Sequence, residues 1–127
     1  MTLNVSRGNC ILRTCIGFGK ALYMESERNL CIISTEIPEG NSVAKTKNLS
    51  ISFWAKTFQK TDNCPEMWLH INGVTMRMWK IEPNIIGRSI FIDCNAGDLI
   101  DIMATNTYPA GLYLSDMTIE VSEVRDE

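Results

Sequence analysis

Apolar side chains recur along this chain with a period of two, in short runs separated by turn residues. Alternation of that kind marks half-buried β-strands, because successive strand side chains point to opposite faces. Helical spacing is almost missing. Cys10 to Ile16 (CILRTCI) predicts a strand stopped by Gly17-Phe18-Gly19, with Ala21 to Met24 as a short return. Leu30 to Ile37 (LCIISTEI) predicts a strand ended by the turn cluster Pro38 to Ser42. Leu49 to Phe58 alternates well: Leu49, Ile51, Phe53 and Ala55 face one way, and Ser50, Ser52, Trp54 and Lys56 face the other.

The run from Met67 to Lys80, MWLHINGVTMRMWK, predicts a hairpin. Asn72-Gly73 between two apolar runs is a strong turn signal, since both central residues of that turn need positive φ. A tight turn fixes the register, and a slip of one residue would turn every side chain over. Counting back from the turn pairs Ile71 with Val74, Leu69 with Met76 and Met67 with Met78 as a core face. His70 then pairs with Thr75, Trp68 with Arg77 and Glu66 with Trp79 on the other face.

Pro83 and Gly87 read as breakers in the connection that follows. Ser89 to Cys94 predicts a strand with Ile90, Ile92 and Cys94 on one face, followed by the turn Asn95 to Asp98. Leu99 to Thr105 returns with Ile100 and Ile102 inward and Asp101 outward. Leu112 to Val124 closes the chain, its Met117, Ile119 and Val121 alternating with polar residues. The expectation is one all-β domain over residues 1–127, an antiparallel two-sheet sandwich of eight or nine strands.

Composition narrows this picture. A chain of 127 residues fits one domain and can bury roughly two thirds of its unfolded surface. With 45% hydrophobic and 21% charged residues it is a folding sequence rather than a disordered one. A net charge of -3 gives no electrostatic reason to expect nucleic acid or an anionic membrane as partner. Its apolar runs are far short of the ~20 residues that span a bilayer. The first residues, MTLNVSRGNC, lack the charged start and apolar run of a signal peptide. The chain is therefore expected to be soluble and without an export signal.

Candidate chemistry is sparse. The five cysteines, Cys10, Cys15, Cys31, Cys64 and Cys94, are odd in number and have no two-residue spacing. They read as free thiols of a reducing compartment, with Cys31 and Cys94 as small core hydrophobes. His70 is the single histidine. A Cys64–His70 dyad is the basis of a small-enzyme reading. No chelate spacing suggests zinc, and Asp93, Asp98 and Asp101 read as turn and surface residues rather than a calcium site. Neither a metal nor a cofactor is expected.

The outward face of the hairpin is the more informative feature. Trp68 opposite Arg77 would make a cation–π pair worth ~0.5–1 kcal/mol if exposed. With Trp79, His70 and Trp54 it would form an aromatic patch of a kind that soluble monomers rarely leave in water. A covering loop, a subunit interface or a sugar-stacking platform would each account for it.

The segments INGVTMRMW, SIFIDCNAGDLIDIMATN and GLYLSDMTIEV bring in a resemblance. An NG hairpin, a strand, an AGD turn into an apolar strand and a final alternating strand resemble the jelly-roll head of C1q/TNF-like modules and of phage fibre or capsid-accessory knobs. The likeness spans Met67 to Val124, about half the chain; the last strand lacks the aromatic–glycine–aromatic pattern of those modules. It implies a jelly roll, a homotrimer held by aromatic and aliphatic side chains, and loops at one end that meet a protein or glycan ligand. No catalytic residues come with it. The function expected on this basis is a non-enzymatic assembly or adhesion module, a viral or phage structural accessory protein that oligomerises through an aromatic sheet face, virion-associated or intracellular. The alternatives are a carbohydrate-binding module stacking sugars on Trp68 and Trp79, and a small enzyme around His70 and Cys64.

Overall fold

The computed structural model describes residues 22–37, 46–59 and 64–124. The strand expected at Cys10 to Ile16, its glycine turn and the turn from Pro38 to Ser42 lie outside the described residues. Eight strands are described: β1 (Leu22–Met24), β2 (Leu30–Glu36), β3 (Thr46–Thr57), β4 (Glu66–Ile71), β5 (Val74–Lys80), β6 (Ile86–Cys94), β7 (Leu99–Thr105) and β8 (Leu112–Val124). They form two four-stranded sheets, ordered β1-β8-β3-β6 and β2-β7-β4-β5. Every pairing is antiparallel. The expected two-sheet antiparallel sandwich is therefore present.

The pairs nest: β1 with β8, β2 with β7, β3 with β6 and β4 with β5. Two of the pairs lie in each sheet, so the chain crosses between sheets repeatedly. The inner faces meet in one core that includes Ile32, Ile33, Leu49, Ile51, Phe53, Met67, Leu69, Ile100, Ile102, Leu114 and Ile119. Each such side chain contributes roughly 1.5–3 kcal/mol on burial. The period-two reading of β3, β7 and β8 holds: Leu49, Ile51, Phe53, Ala55, Ile100, Ile102, Met117, Ile119 and Val121 are all buried, and Trp54 is not.

The Asn72-Gly73 turn also forms as its residue types require, with φ of 53° and 80°. It is tied to the next turn of the same rim. Asn72 Nδ2 donates to Asp98 Oδ1 (3.0 Å), and the Leu99 N–H donates to Asn72 Oδ1 (2.9 Å). Asp98 Oδ2 accepts from the Asn95 N–H at 2.9 Å. Both oxygens of Asp98 are thus occupied by turn chemistry, and among the described residues no cluster of His, Cys, Asp or Glu is placed to hold a metal ion.

The register expected beyond the turn is corrected. His70 pairs with Thr75, but Leu69 pairs with Arg77, Trp68 with Met78, Met67 with Trp79 and Glu66 with Lys80. Met76 is an extra residue, a β-bulge on β5. An edge strand can take such an insertion because no further strand reads its free side. The insertion turns the following residues over, so Trp79 points into the core at 6% exposure. There it meets Phe53. Met76 and Met78, expected in the core, are exposed instead.

Three other departures have local causes. Gly87 lies inside β6, opposite Trp54, and does not break the strand. A glycine in an edge strand is tolerated where an aromatic ring across the ladder covers it. In β8, Asp116 and Met117 together oppose Phe53, and Asp116 takes the left-handed φ of 53° that such a bulge demands. Finally, Cys31 is disulfide-bonded. That overturns the reading of all five cysteines as free thiols, since structural disulfides persist in oxidising surroundings.

Candidate functional site

The outer face of the β2-β7-β4-β5 sheet carries two of the expected site residues. Register alone sets Cys31, Met103, Trp68 and Met78 in one row across four strands. The next row is Ser34, Asp101, His70 and Thr75. Trp68 and His70 meet edge-to-face, with ring centroids 6.2 Å apart at 71°. Together with Asn29, Thr75, Met103 and Thr105 they line a cavity of about 320 Å³. The Trp68 Nε1 is buried and has no hydrogen-bond partner.

The other expected residues are elsewhere. Trp79 is in the core, so Trp68 and Trp79 cannot act together as stacking surfaces. Arg77 does not face Trp68, because the bulge sets it across from Leu69. The cation–π contacts among the described residues belong instead to Lys56, whose Nζ lies 4.9 Å from the Phe58 ring centre and 5.8 Å from that of Tyr113. Trp54 stands on the outer face of the opposite sheet. Cys64 and His70 do not form a dyad by strand geometry. Pro65 O accepts from the Ile81 N–H, so the chain before β4 runs on in its direction, and six residues at ~3.3 Å each separate the two by ~20 Å.

A different surface gathers the exposed apolar residues. Among the described strands, β5 and β6 are the outermost of their sheets. They are consecutive in the chain, and Arg88 of β6 bridges them: its Nη2 donates to Lys80 O (3.2 Å), and its Nη1 to Ile86 O (3.1 Å) and Ala55 O (3.5 Å). Burial lowers the Arg88 pKa from its ordinary value, against the opposing charge of Glu82. Six of the seven β5 residues are exposed, among them Val74, Met76 and Met78. Ile85 and Ile86 come next in the chain and are exposed too, whereas the exposed Phe91 pairs with Ser50 on the outer face of the other sheet.

Sequence alternation missed this surface for a definite reason. Val74, Met76 and Met78 form the one wholly apolar phase of the run, and Thr75, Arg77 and Trp79 the mixed one, so plain alternation sends the methionines inward. Only the bulge reverses this. Ile85 and Ile86 carried a weak signal, two adjacent aliphatic residues in an otherwise polar connection.

No protein-family model, curated protein or solved structure matches the chain. Among the described residues no helix is long and apolar enough to cross a membrane.

Proposed function

We infer that this chain is a non-enzymatic assembly module of jelly-roll type whose copies pack through the side of the sandwich made by β5 and β6. The nested order, 1-8-3-6 against 2-7-4-5, supports the jelly-roll reading: it is the order produced when a long antiparallel ribbon rolls up on itself, giving eight strands in two sheets. The resemblance to C1q/TNF-like modules and to phage fibre or capsid-accessory knobs then favours a structural role in a viral or phage particle, as a homotrimer.

The observation that carries the assembly reading is β5 itself. An edge strand has unpaired backbone groups on its free side, and folded proteins usually blunt such edges with charge, proline or cover. Here the edge carries Val74, Met76 and Met78 exposed, and the connection that leads on from it into β6 exposes Ile85 and Ile86 as well. A patch of that composition marks a protein interface. The contact surface is thus an edge of the sandwich rather than an aromatic sheet face. In a closed ring of three copies this side of each copy would meet a different patch of the next, head to tail.

The test is a solution mass by light scattering over a range of concentrations. Three times the 14.3 kDa of one chain is the expected result. A monomer at every concentration overturns the reading.

A further inference from the structure

The outer face of the β1-β8-β3-β6 sheet holds a second cleft, of about 230 Å³, lined by Ser52, Phe53, Trp54, Gly87, Arg88, Ser89 and Asp116. Its geometry is set by two residues paired across β3 and β6. A methyl group placed on Gly87 would lie 3.1–3.2 Å from Cζ2, Cε2 and Cη2 of Trp54 alike. Near-equal distances to three ring atoms mean that the six-membered ring lies flat over the Gly87 backbone. The sheet supports one face of the indole, and the residue remains 48% exposed.

The polar groups around this ring are largely unspent. Asp116 projects from the β8 bulge, and neither its carboxylate nor the hydroxyls of Ser52 and Ser89, which face each other across the ladder, makes a hydrogen bond to a described residue. Arg88, opposite the core residue Phe53, instead spends its guanidinium on main-chain carbonyls of β3, β5 and β6. An open aromatic face therefore stands beside a carboxylate and two hydroxyls.

We propose that this cleft binds one pyranose ring of a neutral saccharide. A pyranose has a face of C–H bonds and a rim of hydroxyls. The C–H face suits the negative face of an indole, and a carboxylate accepts from two neighbouring hydroxyls. The volume sits just below the usual range for small-molecule sites, ~300–1,000 Å³, which suits a single ring. Nucleobases also stack on aromatic rings, but nucleotides bring phosphate, which Asp116 and the net charge of -3 oppose. The site is built from β3, β6 and β8 of one copy and needs no residue of a second.

The experiment follows the Trp54 indole N–H in proton–nitrogen correlation spectra of the whole chain. The probes are the methyl glycosides of glucose, galactose, mannose and N-acetylglucosamine, with adenosine as a counter-probe. At least one glycoside is expected to shift the resonance saturably, and Trp54→Ala to abolish binding of that glycoside as read from the surrounding backbone signals. Asp116→Asn keeps a residue type that tolerates positive φ and is expected to weaken affinity by ~10-fold. Absence of a saturable shift with every glycoside, binding that survives Trp54→Ala, or a shift with adenosine alone overturns the proposal.

Discussion

Trp79 meets Phe53 edge-on, with ring centroids 5.1 Å apart and ring planes at 89°. The first ring hangs from β5 and the second from β3, so the contact joins the two sheets beside an open edge. Such a pair adds ~0.5–1.5 kcal/mol beyond area burial. Trp79→Ala should therefore cost ~3–5 kcal/mol, whereas replacing the half-buried Trp68 by alanine should cost less. Urea unfolding of both variants checks this order, and an equal or reversed loss would refute the placement of Trp79.

The β5 edge makes the opposite prediction. Met76 and Met78 are exposed, so Met76→Lys with Met78→Lys should leave the stability of the single copy within about 0.5 kcal/mol per site. The same pair of changes should lower the solution mass to that of one chain. If both side chains were core residues, as plain alternation suggests, the double variant would unfold instead.

Among the described residues two buried polar side-chain atoms have no partner: Thr35 Oγ1 and Trp68 Nε1. A buried unpaired group costs ~1–3 kcal/mol, while an apolar replacement of similar shape is nearly neutral or stabilising. Thr35→Val should therefore raise stability by ~1 kcal/mol, and Trp68→Phe should leave it unchanged or higher. Thermal unfolding reads both. A clear loss for Thr35→Val would mean that a buried water serves the hydroxyl.

Burial pushes the Cys94 thiol up to about 11, with the charges of Asp98 and Asp93 adding to it and Lys47 opposing. The folded protein thus holds this proton above the ordinary thiol value of 9.0, where the unfolded chain has lost it. The contribution to stability is complete below pH 9 and should disappear as pH rises from about 9 to about 11. Cys94→Ala should flatten that part of the stability profile. Cys94 should also resist thiol reagents at neutral pH, because the thiolate is the reactive form.

Local rules carried far along this chain, and stopped at identifiable places. Asn72-Gly73 specified its turn because two residues with positive φ leave few alternatives, and the strands beside it needed only alternation. The fate of Trp79 depended on Phe53, a residue in another sheet, and on one inserted methionine that period-two counting cannot detect. Gly87 looked like a breaker because its support, Trp54, lies 33 positions earlier in the chain. Of the aromatic patch expected on the hairpin, Trp68 and His70 do share a face; Arg77, Trp79 and Trp54 were dispersed by the bulge and by sheet assignment. The pairing of Cys31 was beyond reach, since an odd set of cysteines specifies no connectivity.

Arg88 has a consequence for anything that docks on the open side of the molecule. One guanidinium, anchored on β3 and β6, also holds the main chain of β5, so the sheets cannot part there without breaking the hydrogen bond from Arg88 to Lys80 O. A newcomer would meet a rim already set in shape and would spend little of its binding free energy on ordering it.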